Sequence, residues 1–241
     1  MKRAVIIGAS SGLGLEVAKI LLDDGWRIGI AARRFDLLQA LKAEAPERVV
    51  AEAIDVTADD AGERLLSLVE SVGGMDLFFM SSGIGKQNLP LCADIETSTV
   101  ATNGLGFVRM VGEAFRYMAA NGGGQIAAIT SIAGTKGLGA APAYSATKAF
   151  QNTYLQSLEQ LAAIRRLDIA FTDIRPGFVA TALLGESPRY PMLMKPERVA
   201  RLAVKAVYRR RHRVVIDWRW ALLTALWRRI PRWLWRRMRV A

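Results

Sequence analysis

Two side chains that could move a proton, Tyr144 and Lys148, lie four residues apart in the segment 142–150. If this segment is a helix, the spacing places both side chains on one face, about one turn apart. A free tyrosine keeps its proton up to about pH 10, but a neighbouring ammonium favours the phenolate and lowers the tyrosine pKa. The pattern therefore predicts a general acid–base group in which Lys148 tunes Tyr144. The alternative is an ordinary amphipathic helix that carries both residues by coincidence.

The start of the chain predicts an element that could hold a phosphate group. Residues 4–7 form an apolar, β-branched run typical of a buried parallel strand, and residues 15–22 have the spacing of an amphipathic helix. A helix that begins here directs free backbone N–H groups and its positive dipole end toward a pyrophosphate. This strand–turn–helix unit predicts dinucleotide binding, with a purely structural turn as the alternative. The candidate cofactor contacts in the turn are Gly8, Ser10, Ser11, Gly12, Leu13 and Gly14.

The glycine spacing of this turn, G-x-x-x-G-x-G, together with the Tyr/Lys helix, resembles the classical short-chain dehydrogenase/reductase family. The resemblance extends from Lys2 to about Asp217. It implies an α/β protein with a single-domain Rossmann fold, in which helices cover both faces of a doubly wound, seven-stranded, mostly parallel sheet. We therefore expect an NAD(P)-binding catalytic domain over residues 1–217 and a basic, Trp- and Arg-rich amphipathic C-terminal tail over residues 218–241.

Two further polar residues complete a candidate catalytic set. Ser131 ends an apolar run and precedes Tyr144 by thirteen residues, which is the spacing of the catalytic serine in the family that the chain resembles. A hydroxyl at the C-terminal edge of a parallel strand faces the ligand crevice, although a simple turn serine is the alternative. Asn103 and Gly104 are poor helix formers in an otherwise helical stretch, which predicts a local distortion. The resemblance implies that Asn103 supports a water molecule linked to Lys148. The candidate catalytic residues are thus Asn103, Ser131, Tyr144 and Lys148.

The residues at the end of the second predicted strand indicate whether the cofactor is NAD or NADP. The strand spans residues 26–32 and runs into Arg33 and Arg34, with no carboxylate before Asp36. A carboxylate here would hydrogen-bond the adenosine ribose of NAD and repel a 2′-phosphate, whereas a guanidinium pairs with that phosphate. We therefore predict NADP (NADPH) in preference to NAD, with Arg33 as the main contact. The alternative is that both arginines belong to a solvated loop.

The resemblance implies further cofactor contacts at three strand ends. After the third predicted strand, Asp55 and the next residue are expected to hold the adenine ring, although a cap that Asp55 forms with Thr57 is the alternative. After the fourth, the family's N-N-A-G motif is matched only in part, because Met80 and Ser81 replace its asparagines. After the sixth, P-G-x-x-x-T is expected to hold the nicotinamide carboxamide, and residues 182–194 then form a lid over an apolar substrate or part of the core. The implied contacts are Asp55, Val56, Ser82, Gly83, Tyr144, Lys148, Pro176, Gly177, Val179 and Thr181.

The net charge of +11 is concentrated at the C-terminus, because eleven Arg and one Asp lie from residue 209 onward and leave the rest of the chain at +1. Five of the six tryptophans also lie there, and Leu222, Leu223, Leu226, Trp227 and Ile230 recur at helical spacing. Basic amphipathic helices with Trp bind anionic membrane surfaces, so attachment to the inner face of the membrane is one hypothesis. The alternatives are folding back onto the domain and a subunit interface. Nucleic-acid binding is not expected, because the rest of the chain is almost neutral.

Composition indicates the compartment. The hydrophobic fraction of 51% is enough for a substantial core, and a single cysteine excludes an intrachain disulfide framework. We therefore expect a cytoplasmic protein. One His and one Cys also argue against a zinc site, and no metal is predicted.

Together, the motifs predict an NADP-dependent oxidoreductase (EC 1.1.1.-) that interconverts a ketone and a secondary alcohol. The tail suggests a hydrophobic or lipid-like carbonyl substrate, for example a long-chain 3-oxo compound. The resemblance also implies a homodimer or homotetramer. The competing hypothesis is a non-catalytic protein of the same fold, either an NADP-binding redox sensor or a membrane-associated interaction module.

Overall fold

The computed structural model describes residues 1–184 and 190–238. Its centre is one seven-stranded sheet with the order β3-β2-β1-β4-β5-β6-β7, in which every neighbouring pair is parallel. The predicted doubly wound α/β sheet is therefore confirmed. The strands are β1 (Arg3–Ile7), β2 (Arg27–Ala32), β3 (Val49–Ala53), β4 (Leu77–Met80), β5 (Gly124–Ile129), β6 (Ile169–Arg175) and β7 (Arg213–Val215).

Helices cover both faces of the sheet and create two hydrophobic clusters. Side chains of α1, α2 and α7 pack on one face, and those of α3, α5 and α6 pack on the other. Because the central strands are buried on both sides, they read in sequence as continuous apolar runs. The helices are α1 (Gly12–Asp23), α2 (Phe35–Glu44), α3 (Ala61–Val72), α4 (Ala93–Val100), α5 (Phe107–Ala120), α6 (Pro142–Ile164), α7 (Pro196–Tyr208), α8 (Trp218–Trp227) and α9 (Arg232–Trp235).

The strand order reverses between β1 and β4, and this reversal fixes where a ligand can bind. In open parallel sheets the crevice lies beyond the carboxyl ends of the strands at such a switch point. The backbone pairing stays regular here although Met80 and Ser81 replace the expected asparagines, since Ile7 pairs with Met80 and the Ser81 amide donates to the Ile7 carbonyl at 2.8 Å. Backbone hydrogen bonds therefore tie the central strands together at this point.

The distortion predicted around Asn103 is present as a π-helical segment, Ala101–Gly106, between α4 and α5. Short π-helical insertions widen a helix locally and occur often at functional sites. Gly106 lets this segment lie against Val56, because a Cβ at Gly106 would stand 2.7 Å from the Val56 Cγ2 atom. The two poor helix formers, Asn103 and Gly104, therefore predicted the position of this irregular segment correctly.

One face of the tail packs against the domain. Trp220 on α8 is only 2% exposed and meets the Phe178 ring edge-on, with a centroid separation of 5.5 Å. Farther along, Lys136 Nζ donates to the Ile230 carbonyl and Trp235 Nε1 donates to the Gly137 carbonyl, both at 2.8 Å. The tail therefore lies beside the loop that connects Ser131 with α6, as the folding-back alternative expects.

The opposite face of the tail remains open. Trp218, Leu222 and Leu226 are 73%, 55% and 57% exposed, respectively. The exposed residues of this segment also include Arg219, Arg228, Arg229 and Arg232. Among the residues that the structure describes, no helix has the length and apolar character needed to cross a bilayer.

Candidate active site

Helix α6 brings Tyr144 and Lys148 together on one face, as the sequence predicts. Lys148 Nζ lies 5.7 Å from the centroid of the Tyr144 ring. Lys148 is buried and Tyr144 is partly buried. Ser131 follows the end of β5, and its hydroxyl accepts a hydrogen bond from the Ala133 amide at 3.0 Å. Its side chain interacts with the Tyr144 phenol, so the three predicted groups lie in one place.

The electrostatics of Tyr144 correct one sequence expectation. Burial raises the pKa of Tyr144 above its ordinary value, and its interaction with Ser131 only partly opposes this. The sequence predicted a lowered tyrosine pKa, but desolvation of the phenolate is the dominant effect and has the opposite direction. Burial also lowers the pKa of Lys148 to about 8, against the opposing attraction of Asp173. Near pH 7 the site therefore holds a protonated phenol beside a largely charged ammonium.

Asn103 holds the backbone that follows β4. Its Oδ1 accepts from the Ile84 amide at 2.9 Å, and its Nδ2 donates to the Ile84 carbonyl at 2.6 Å. A Cβ at Gly83 would lie 3.3 Å from Asn103 Oδ1 and 3.6 Å from Lys148 Nζ. The Ser82–Gly83 backbone is thus placed directly beside the candidate catalytic residues.

Sequence reasoning missed Gln151, which lies one helical turn beyond Lys148. Lys148 Nζ donates to Gln151 Oε1 at 2.9 Å, and Gln151 Nε2 donates to the Asn103 carbonyl at 2.8 Å. The sequence feature that could have revealed Gln151 is a polar residue on the buried face of α6.

Asp173 on β6 was also missed. Its carboxylate accepts hydrogen bonds from Arg175 and Thr130.

The glycine turn is shaped by close backbone approaches. Gly8 has φ +87°, and a Cβ there would lie 2.5 Å from the Ser82 amide nitrogen. A Cβ at Gly14 would collide with the Gly8 carbonyl oxygen. In the described part of the chain, no side chain caps the N-terminus of α1 after Ser11, so its amides are available to an anion.

The two arginines after β2 have different surroundings. Arg34 Nη2 donates to Ser11 Oγ at 3.0 Å and approaches Ser10 Oγ at 3.4 Å, so Arg34 is the arginine that reaches the glycine turn. Arg33 faces Asp55. Burial raises the pKa of Asp55, but hydrogen bonds from Thr57 and the charge of Arg33 bring it below its ordinary value.

Asp55 Oδ1 accepts from the Thr57 amide at 2.9 Å and from the Thr57 hydroxyl at 2.8 Å. The Asp–Thr interaction weighed as an alternative is therefore present, although α3 itself begins later, after Asp60. The side chain of Val56 is buried against the π-helical segment.

The segment after β6 reaches back toward the glycine turn. The Pro176 carbonyl accepts from the Ile132 amide at 3.2 Å, and Gly177 leaves room for Trp220, whose indole would collide with a Cβ at that position. Farther on, Val179 bridges to Met194. Thr181 then lies across from Gly12, because a Cβ at Gly12 would stand 3.4 Å from Thr181 Cγ2.

Of the predicted lid, residues 185–189, including Pro188, lie outside the described residues. On its described side, the Tyr190 ring packs on the Phe178 ring at 4.6 Å between centroids.

This donor set fits a dinucleotide. Free helix amides and a guanidinium at the glycine turn suit phosphate groups. The strand-end backbone on both sides of the switch point suits the sugar and ring portions.

Comparison with known proteins agrees with this geometry. A family model described as short chain dehydrogenase matches residues 2–190. An uncharacterized oxidoreductase of Myxococcus xanthus is 33% identical over 240 residues, which cover 95% of this chain and 93% of the relative.

Two solved structures share the fold. An alcohol dehydrogenase from Thermococcus sibiricus, complexed with 5-hydroxy-NADP, has a TM-score of 0.78 and 24% identity, with 90% of this chain and 96% of that chain covered. A short chain dehydrogenase/reductase from Burkholderia phymatum, in complex with NAD, has a TM-score of 0.83 and 19% identity, with 93% and 92% covered.

Proposed function

Because the chain belongs to the short-chain dehydrogenase family of oxidoreductases, we propose that it interconverts a ketone and a secondary alcohol at the site formed by Ser131, Tyr144 and Lys148. A bound nicotinamide supplies or accepts the hydride in this chemistry. The observation that carries the proposal is the placement of a protonated phenol, a serine hydroxyl and an ammonium together beyond the carboxyl edge of β5.

In the direction of reduction, each residue has a distinct role. Tyr144 donates its phenolic proton to the carbonyl oxygen while that oxygen gains negative charge. Ser131 donates a hydrogen bond to the same oxygen and stabilises the developing alkoxide. Lys148 stabilises the phenolate that Tyr144 leaves behind, and Asn103 keeps the Gly83–Ile84 backbone against the site. The raised pKa of Tyr144 supports this direction, because the phenol is a proton donor at neutral pH.

We assign NADP as the preferred cofactor. Arg34 lies on Ser10 and Ser11 of the glycine turn, and Arg33 lies beside it on the same exposed loop. A 2′-phosphate at the end of β2 would therefore meet two guanidinium groups, which bind phosphate in bidentate fashion. The contacts of Arg34 with Ser10 and Ser11 support Arg34, in place of the expected Arg33, as the proposed principal contact.

The substrate that fits best is an apolar carbonyl compound. Phe178 lies within the segment proposed to hold the nicotinamide, and its partly exposed ring packs on the partly exposed Tyr190 ring, with the buried Trp220 behind it. Aromatic walls of this kind bind hydrophobic ligands through area burial. A long-chain 3-oxo compound presents the required carbonyl and an alkyl chain that such a wall could cover.

The first test is NADPH oxidation, followed at 340 nm, with straight-chain ketones and 3-oxo esters of rising chain length. We expect turnover with NADPH, weaker turnover with NADH, and a specificity constant that increases with chain length. Binding of NADPH without oxidation across the whole series would contradict the proposal and support the non-catalytic redox sensor.

The variant Arg34→Ala tests the proposed preference for NADP over NAD. Loss of one charge-assisted contact should raise the KM for NADPH about 10- to 100-fold while the KM for NADH changes little. Arg33→Ala should show a smaller effect of the same kind. If both Michaelis constants rise equally in Arg34→Ala, the NADP assignment is wrong.

We also propose that the open face of the tail attaches the protein to an anionic membrane surface, on the cytoplasmic side. Trp218, Leu222 and Leu226 supply exposed apolar area, and the surrounding arginines supply the opposite charge to anionic headgroups. Such attachment would present the aromatic cluster to lipid-like substrates. In line with the family resemblance, we also propose a homodimer or homotetramer, which sedimentation velocity would distinguish from a monomer.

The membrane proposal predicts that Leu222→Ser/Leu226→Ser reduces co-sedimentation with phosphatidylserine-containing vesicles by about tenfold or more, because two apolar side chains no longer enter the interface. The matched control is Leu89→Ser/Ile164→Ser, which removes two comparably exposed apolar side chains far from the tail in sequence. Wild-type protein that pellets equally with neutral and anionic vesicles, or equal loss in both double variants, would count against tail attachment.

A further inference from the structure

The side chain of Gln151 is completely buried, with 0% exposure, inside the contact between α6 and the π-helical segment. A buried primary amide costs free energy unless its oxygen and nitrogen both find partners. Here Oε1 accepts from Lys148 Nζ at 2.9 Å and Nε2 donates to the Asn103 carbonyl at 2.8 Å. The amide therefore joins the candidate catalytic lysine directly to the backbone of a second candidate catalytic residue.

The orientation of this amide is determined by its partners. A lysine ammonium can only donate hydrogen bonds, and a backbone carbonyl can only accept them. The Gln151 oxygen must therefore face Lys148, and its nitrogen must face Asn103. If the amide were inverted, its NH2 group would face the Lys148 ammonium and its oxygen would face the Asn103 carbonyl oxygen. Only one orientation of the Gln151 amide therefore satisfies both hydrogen bonds.

We infer that Gln151 is a positioning residue for Lys148, and that its amide takes the bridging place between Lys148 and Asn103 where the family resemblance implied a water molecule. A water molecule can accept a proton and pass one on, whereas an amide holds its two partners without carrying a proton onward. Gln151 would thus fix the ammonium beside Tyr144 and favour its charged form. This inference builds on the proposed function, since Lys148 matters there as the partner of the phenol.

The other groups around Lys148 do not by themselves keep its ammonium charged, so the Gln151 oxygen can affect the Lys148 pKa. Lys148 Nζ also donates to the Ile129 carbonyl at 3.2 Å and lies over the Tyr144 ring. Among the described residues, the carboxylate that attracts it is Asp173, which is itself bound by the Arg175 guanidinium, and this offsets much of its charge. In the same part of the chain, the hydrogen-bond acceptors that contact the ammonium are two neutral oxygens, and one of them belongs to Gln151.

The test uses opposite changes at one position. Ketone reduction needs a charged Lys148, so its rate should fall as pH rises through the Lys148 pKa of about 8. Gln151→Leu removes an acceptor from the charged form, and the alkaline limb of kcat/KM should move about one pH unit lower. Gln151→Glu places a carboxylate at the same distance, and the limb should move about one pH unit higher.

Two controls separate positioning from a general loss of packing. Gln151→Met keeps the length of the side chain but lacks the amide, and it should follow Gln151→Leu in the direction of the shift. Gln125→Leu removes another amide, one that donates to Thr172 Oγ1 and to the Val207 carbonyl, both at 3.0 Å, near the amino-terminal end of β5. It should lower stability without moving the alkaline limb.

A second readout does not require turnover. In the full chain labelled with ¹³C-lysine, the Lys148 Cε resonance, assigned by its loss in Lys148→Arg, should titrate at lower pH in Gln151→Leu and at higher pH in Gln151→Glu. Shifts of this pattern in a protein that reduces no ketone would support the inference and reject the proposed function. Titration curves and pH profiles of the Gln151 variants that overlay those of the wild type would overturn the inference while leaving the proposed function intact.

Discussion

Tyr144→Phe is expected to lower ketone turnover by about 10³-fold while leaving NADPH affinity nearly unchanged. The variant removes only the phenolic hydroxyl, which is the proton donor in the proposed reaction, and keeps the ring that packs beside Gly85, where a Cβ would lie 2.5 Å from Tyr144 Cδ2. Turnover is measured by NADPH oxidation, and affinity by titration of NADPH fluorescence. The prediction separates an enzyme from a nucleotide-binding protein, because only the former needs this hydroxyl.

The matched control is Tyr154→Phe. Tyr154 lies on the same helix, and burial raises its pKa as it does for Tyr144, but its ring stacks on Phe150 away from Ser131 and Lys148. Turnover in this variant should remain close to that of the wild type. If Tyr144→Phe keeps turnover within about tenfold of the wild type, the role assigned to the phenol is wrong.

The pH dependence of reduction follows from the two pKa shifts of the site. Burial raises the pKa of Tyr144, so the phenol stays protonated through neutral and mildly alkaline pH. Burial lowers the pKa of Lys148 to about 8, so the ammonium is the first of the two to lose its proton as pH rises. The alkaline decline of reduction therefore belongs to Lys148, which explains why a residue that holds this ammonium can shift the whole profile.

Much of the architecture was predictable because its signals are local. Buried parallel strands appear as short apolar runs. The shape of the first turn is indicated by Gly8 and Gly14, because a Cβ added at either position would collide with backbone atoms. The irregularity at Asn103 and Gly104 was also visible, because two poor helix formers stand together in a helical stretch.

The features that sequence reasoning missed depend on distant partners. Gln151 looks like an ordinary polar helix residue until the π-helical segment, 48 residues earlier, supplies the Asn103 carbonyl. The pKa of Tyr144 was predicted in the wrong direction because the spacing to Lys148 reveals the ammonium but not the depth of burial. The packing of Trp220 required Gly177, whose missing side chain provides the space, and no local pattern joins these two positions.

The second large effect concerns the close backbone approach at Gly8 in the glycine turn. It is tested by comparing Gly8 with Gly25, a glycine of similar φ. Gly8 has φ +87° and Gly25 has φ +82°, so alanine is strained at both, by about 1–2 kcal/mol. At Gly25 the added methyl group meets no described atom within 4 Å, whereas at Gly8 it would lie 2.5 Å from the Ser82 amide nitrogen and 2.8 Å from the Ser81 carbonyl carbon. Both substitutions therefore carry the strain of a positive φ, and Gly8→Ala adds a collision with backbone atoms.

Gly25→Ala should lower the free energy of unfolding by about 1–2 kcal/mol and leave NADPH affinity unchanged. Gly8→Ala should lower it by about 3 kcal/mol or more, because both partners in the collision are backbone and cannot rotate away. The forced separation of β1 from the Ser81–Ser82 backbone would also widen the cofactor crevice, so NADPH affinity should fall in Gly8→Ala alone. Urea unfolding and NADPH titration measure the two effects. Equal unfolding midpoints and equal affinities in the two variants would mean that the close approach at Gly8 does not shape the crevice.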